Sequence, residues 1–281
     1  MRRVFCAALL VLGLASPAVA DDDYPFLRSA LTVGPATFTK WSGFYFGGQL
    51  GYGETNVDFS SATQPLVAYS LRDTTLEDVV SPSQYQVLGR SADNTVGYGG
   101  FVGYNTQWQD LMLGVEGNYT RTSFDTTSPV TTISRVTSTG SSTYSVNITG
   151  TGNLQLTDYA SLRARAGPIV GDLLPYGFAG IVVGRGSYNV TSLVSGQQNP
   201  SSPPVVPCDL VVSPTCVDYS FANSGSLSNA LLYGFSLGGG LDWALTPNIF
   251  LRGEFEFIQF APIANINVSI VGARVGAGFK F

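Results

Sequence analysis

The sequence predicts an all-β protein: an eight-stranded antiparallel up-and-down transmembrane β-barrel with three long extracellular loops. Three observations lead there. Stretches of the chain alternate apolar with small or polar residues at a period of two, the repeat of a strand rather than a helix. Past residue 20 no stretch approaches the ~20 apolar residues of a spanning helix. Yet charged residues make up only 12% of the chain, and glycine accounts for 33 of 281 residues. A secreted β protein and a membrane barrel both fit that composition, since alternation dilutes a barrel's hydrophobicity along the chain. The third observation, a regular alternation of short and long connections, favours the barrel.

The organisation reads from the amino end. "MRRVFCAALLVLGLASPAVA" has two arginines, an apolar core and the small-residue ending Ala18-Val19-Ala20. It reads as a cleaved signal peptide over 1–20, with cut expected before Asp21. Residues 21–40 open on an acidic triplet and contain Pro25 and Pro35, as in a flexible periplasmic linker. The barrel is expected over 41–281.

Eight strands follow. "FYFGGQLGYG" (44–53) puts Phe44, Phe46, Leu50 and Tyr52 on one face and Tyr45, Gly47 and Gln49 on the other. Runs at 95–108, 112–124, 159–170, 231–245, 249–260 and 271–281 split the same way. "PYGFAGIVVGRGSY" (175–188) is less clean, because Ile181 and Val183 share a face with Arg185. Gln109-Asp110, Gly171-Asp172 and Thr246-Pro247-Asn248 make tight turns with suitable turn residues. The connections at 57–94, 127–155 and 191–228 are long and rich in Ser, Thr, Asn and Pro. Short turns at one end and long loops at the other are the arrangement of outer-membrane barrels.

Aromatic residues sort by end. Trp41, Trp108 and Trp243 fall at the short-turn end, as does Phe281; Tyr52, Tyr98, Tyr119, Tyr188 and Tyr233 fall at the opposite end. Two interface girdles are expected of such barrels. A soluble eight-stranded barrel would be apolar inside and polar outside. Here the long apolar rows carry the interfacial aromatics, so they face lipid, and closure leaves no unpaired edge there.

The lumen then receives Glu116, Asp242, Glu254, Glu256, Arg163, Arg165, Arg185, Arg252 and Arg274, with Lys280 at the periplasmic mouth. Eight strands leave an interior that side chains can fill. The charges read either as a paired plug or as a gate on a narrow ion path, and pairing is required under both.

The sequence also excludes. The chain has no histidine, so a Ser-His-Asp or Asp-His route is closed and no catalytic residue is expected. The formal charge of −5, or −7 without Arg2 and Arg3, argues against a nucleic-acid partner. "GFSLGGGLDW" lies in a strand with no helix N-terminus to hold phosphate. Glu77-Asp78 lacks the ligand spacing of a calcium loop. Cys208 and Cys216 read as a disulfide stapling a short Pro/Ser-rich segment, since two thiols without histidine make half a zinc site at most. No metal or cofactor is expected, and no feature encodes an oligomeric state.

"WSGFYFGGQLGYG", the repeated Gly-aromatic strands and the terminal "GFKF" resemble the small porin-family outer-membrane proteins of alphaproteobacteria, the outer-membrane immunogenic proteins of rhizobial and brucella-type bacteria. The resemblance covers about 41–281 and is specific in the first strand and at the carboxyl end. It implies a Gram-negative outer-membrane protein embedded in outer-membrane lipid and lipopolysaccharide. Its implied role is structural support of the envelope and surface antigen, with a small porin as the alternative. It also implies that Phe281 is read by the barrel-assembly machinery. The long loops, apart from the resemblance, leave open an adhesin or receptor acting through them.

Overall fold

The computed structural model describes residues 39–140, 142–200 and 216–281. The signal peptide, linker residues 21–38 and Cys208 lie outside the described residues. Eight strands run in chain order: β1 Gly43–Asp58, β2 Arg90–Trp108, β3 Leu111–Thr139, β4 Ser142–Pro168, β5 Leu173–Asn199, β6 Val217–Ala244, β7 Ile249–Phe260 and β8 Asn267–Lys280. Each pairs antiparallel with the next, and β8 pairs back onto β1, closing an up-and-down barrel. Closure sets Phe46 opposite Phe279 and Leu50 opposite Val275. A slip of one residue would turn both apolar rows inward, so the register is held by the outward apolar pattern.

The short-turn end is built as the sequence indicates. Gln109 takes a left-handed φ of 55° between β2 and β3, and Gly171 a φ of 60° between β4 and β5. At the opposite end Ala264 and Asn265 are both left-handed, at 48° and 60°, turning β7 into β8. That conformation is what a tight hairpin turn requires.

The described parts of two of the three expected loops, 127–140 with 142–155 and 191–199 with 217–228, are mostly strand instead. β3 to β6 run 29, 27, 27 and 28 residues, against the ~9–11 that a membrane strand needs. β2 stops pairing with β3 at Gly97↔Thr122, and β7 with β6 at Gly234↔Phe260. Above that level β3–β6 continue as a four-stranded sheet, with β3 and β4 paired as far as Thr139↔Ser142. The third connection, 59–89, folds as α1 Gln64–Leu71, α2 Thr75–Val80 and a 3-10 turn at Pro82–Gln84.

That connection is packed, not loose. Phe59, Ala62 and Leu88 lie in one apolar cluster with Phe124, Leu156, Ile258, Phe260 and Val268 of the barrel wall. Val67, Leu71, Leu76 and Val87 form another with Val146, Ile148 and Val194 on the inner face of the extended sheet. The inward row is therefore polar only part of the way up the barrel. Toward the long-hairpin end it is largely apolar on β4 and β5, which have the 59–89 connection to cover, while β3 buries Thr122, Thr126 and Ser128 there.

Candidate functional site: the luminal charge layer

Every strand sends a side chain to one level of the lumen. Glu116 comes from β3, Arg163 and Arg165 from β4, Asp242 from β6, and Arg252, Glu254 and Glu256 from β7. β8 supplies Arg274; β1, β2 and β5 supply Tyr45, Phe101, Tyr176 and Phe178. Four arginines thus meet four carboxylates, all buried.

Some pairs are direct cross-strand neighbours: Glu116 faces Arg163, Asp242 faces Arg252 and Glu254 faces Arg274. Others span the lumen. Arg163 Nη2 lies 2.6 Å from Glu254 Oε1, Arg165 Nη2 lies 2.7 Å from Asp242 Oδ2, and Arg252 Nη1 lies 2.8 Å from Glu116 Oε2. Glu116 is the hub. It accepts from Arg163 Nε at 2.9 Å, Arg165 Nη1 at 2.7 Å, Tyr45 Oη at 2.7 Å and Asn118 Nδ2 at 2.7 Å. Arg163 Nη2 also donates to it. Arg274 closes the layer, 3.0 Å from both Glu254 Oε2 and Glu256 Oε2. A buried charge is tolerated when paired, and reciprocal ion pairs meet that demand here. The hydrogen bonds concentrate on Glu116, Glu254 and Asp242, while Arg274 is held by its ion pairs with Glu254 and Glu256 alone.

Aromatic rings complete the packing. Phe178 lies 4.1 Å from the Arg163 guanidinium, Tyr176 3.8 Å from that of Arg165, and Phe101 4.0 Å from that of Arg252. Cation–π contacts of this kind gain strength where water is excluded. Below, toward the short turns, Trp41, Tyr45, Phe101, Met112, Leu174 and Phe250 form an apolar cluster. Gly278 and Gly103 leave the space for it, since a Cβ at the first would enter the Phe250 ring and at the second the Tyr45 hydroxyl. A cavity of about 30 Å³ remains beside Arg274 and Glu256. That is room for about one water molecule.

Three expected placements are corrected. Arg185 is not in the lumen: it faces outward and pairs with Asp158, Nη2 to Oδ2 at 2.6 Å. The inward aromatic positions on β5 are Tyr176 and Phe178, so its apolar lipid-facing row is Ile181 and Val183, with Arg185 in line. Trp41 is not an interface residue but 2% exposed inside the mouth, with Phe250 at 6.1 Å and Lys280 Nζ 4.1 Å above its ring. Its odd number places it in phase with Tyr45, not Phe44. Tyr188 is half-buried against the interior apolar cluster, next to a register shift between Gly186 and Tyr188.

The other aromatics face out: Trp108, Trp243, Tyr52, Tyr98, Tyr119 and Tyr233 are all well exposed. Phe281 is exposed as well, its ring 5.2 Å from Phe279 and its N–H donating to Phe44 O at 3.0 Å. Lys280 Nζ donates to Lys40 O at 2.9 Å, so residues 39–42 fold onto the short-turn mouth. Cys216 is disulfide-bonded. The luminal aromatics Tyr45, Phe101, Tyr176, Phe178 and Phe250 were not singled out by sequence reasoning. Tyr45, Phe101 and Phe250 carry a signal, standing in phase with Gln49, Asn105 and Arg252 of their own strands; Tyr176 and Phe178 carry none, since the one charge on β5, Arg185, has the opposite parity.

The family profile described as outer membrane protein beta-barrel domain matches residues 6–281. The chain belongs to this family. Membership in this outer-membrane barrel family places the protein in the outer membrane of a Gram-negative bacterium. A comparison with curated proteins finds no match. Among solved structures, this barrel is similar to Ail, the attachment invasion locus protein of Yersinia pestis, at 13% identity and a TM-score of 0.33, covering 85% of this chain and 99% of that one. It is similar to Neisserial surface protein A at 12% and 0.35, covering 85% and 98%. The outer membrane protease OmpT of Escherichia coli matches at 9% and 0.31, covering 87% and 98%.

Proposed function

We propose that this outer-membrane barrel is a non-conducting structural protein of the envelope that also presents a surface antigen. The observation that carries the reading is the luminal layer in which four arginines and four carboxylates answer one another. It lies between an aromatic layer at the short-turn mouth and the apolar packing of the 59–89 connection. An ion path would have to break all three, and an eight-stranded barrel has little interior beyond its own side chains.

In this reading the short turns are periplasmic and the long hairpins extracellular. Residues 1–20 are the export signal, Phe281 is the mark read by the barrel-assembly machinery, and Cys208 is the partner of Cys216. Outer-membrane lipid and lipopolysaccharide surround the barrel. The first-strand motif "WSGFYFGGQLGYG" supports a place among the alphaproteobacterial porin-family proteins. The absence of histidine from the sequence supports a non-enzymatic role.

Planar-bilayer recording tests the reading. Purified, folded protein is expected to give no discrete openings across a range of voltage and salt. Reproducible single-channel steps would turn the assignment to a small porin.

A second reading, adhesin or receptor, is favoured by the four-stranded sheet standing above the barrel. Trimming residues 191–228 is expected to abolish attachment to a partner while the barrel still folds. Attachment that survives the trimming places the contact elsewhere.

A further inference from the structure

The outward row of the barrel turns from apolar to polar at one level. On β3 it runs Val115, Tyr119, then Arg121; on β5 it runs Ile181, Val183, then Arg185. On β1, Tyr52 gives way to Glu54, and on β7, Phe257 to Gln259. That level is the edge of the hydrocarbon on the long-hairpin side, where aromatic girdles end and headgroups begin.

Two guanidinium groups stand there on one stretch of wall. Arg121 pairs in register with Asp158, and Asp158 with Arg185, so the three lie in a row across β3, β4 and β5. Neighbouring strands are ~4.8 Å apart, which sets the two arginines about 10 Å apart at the backbone, within joint reach of one small anion. Asp158 is committed to Arg185, which grips it through Nε at 2.9 Å and Nη2 at 2.6 Å. Arg185 keeps Nη1 free of that grip, and its side chain is 56% exposed against 13% for Asp158. Arg121 is exposed and has no ion pair or hydrogen bond among the described residues. The next outward carboxylate up β3, Asp125, accepts from Asn153 at 2.7 Å. The row carries a net charge of +1.

A cation held at a lipid boundary without a protein partner is complemented by an anionic headgroup. Guanidinium is the group that takes phosphate bidentately. We propose that Arg121 and Arg185 bind the phosphate of an outer-leaflet glycolipid, a lipid A-type phosphate monoester, with its acyl chains along Tyr119, Val183 and Leu162 below. The assignment rests on the membrane orientation given above but not on a sealed lumen, so bilayer recordings and lipid binding succeed or fail separately.

The test is a titration of the folded barrel in detergent micelles, followed by native mass spectrometry. The probes are phosphorylated lipid A, the same lipid A with its phosphates removed, and inorganic phosphate. Wild type is expected to retain phosphorylated lipid A in preference to the dephosphorylated form. The double variant R121Q/R185Q is expected to bind it at least about tenfold more weakly, the scale of one charge-assisted hydrogen bond. E54Q, at the same level on β1, is expected to bind as wild type does. Equal retention of the two lipid A forms overturns the proposal, as does a double variant that binds like wild type. Inorganic phosphate displacing lipid A at equal concentration overturns the lipid assignment. If the double variant does not fold, R121Q alone decides: it breaks no protein contact, and unchanged binding overturns the site.

Discussion

Arg163 of β4 and Glu254 of β7 meet across the lumen, Nη2 lying 2.6 Å from Oε1 and 2.9 Å from Oε2, though their strands are not neighbours in the ring. The same guanidinium holds Glu116 from the adjacent strand. One side chain therefore ties a local pair to a distant one, and both members of the cross-lumen pair are 0% exposed.

Arg163→Ala is expected to leave Glu116 and Glu254 each short of a donor and to cost ~3–5 kcal/mol, the usual penalty for orphaning a buried charge. Glu254→Ala is expected to cost a similar amount through Arg163, Arg274 and Tyr176. Replacing both, Arg163→Ala with Glu254→Ala, is expected to cost less than the two single losses added together. Heat-modifiable electrophoretic mobility reads the unfolding temperature of each. Strict additivity would show that the two residues do not act on one another.

Arg185 supplies the opposite expectation. Its partner Asp158 is on the outer wall and the arginine is largely exposed. Arg185→Ala is expected to change stability by less than about 1 kcal/mol, as exposed pairs do, while Arg252→Ala, from the heart of the luminal layer, shifts unfolding sharply. Equal and large losses from both would return Arg185 to the lumen.

That contrast shows what the sequence made legible. The eight strands and their closure could be read because lipid imposes an unbroken apolar row on each, and period two then fixes the other face. Eight luminal charges followed from the same parity. Arg185 did not, because Tyr176 and Phe178 face the guanidinium groups inside rather than lipid, so aromaticity does not mark the outer face of β5. Tyr188 escaped because it adjoins a register shift, and no residue type announces a bulge there. The long hairpins look like loops in the sequence because Ser, Thr and Asn line their solvent face. Only the inward residues, such as Val146, Ile148 and Val194, carry the strand signal, and their covering helices are distant in sequence.

Gly278→Leu is expected to impair assembly. A Cβ at this position meets the ring of Phe250, which is 2% exposed and packed against Tyr45 and Phe101 with nowhere to move. Overpacking of this kind costs ~1–3 kcal/mol for a few added carbons. Adding Phe250→Ala to Gly278→Leu is expected to recover part of the folded yield. Refolding yield in detergent measures both, and no recovery in the double variant would place the obstruction elsewhere.

The 59–89 connection gives the last test, because it separates one interior layer from the others. Val67 is 1% exposed and shares its cluster with Val146, Ile148 and Val194. Val67→Asp puts an unpaired carboxylate among them, a burial that the connection escapes by lifting off the sheet. Limited proteolysis is then expected to cut within 64–80 while heat-modifiable mobility shows an intact barrel. Conductance is expected to stay silent, because the charge layer and the aromatic layer below it do not depend on Val67. Channel openings from this single change would make the connection the seal and reduce the luminal charges to a lining.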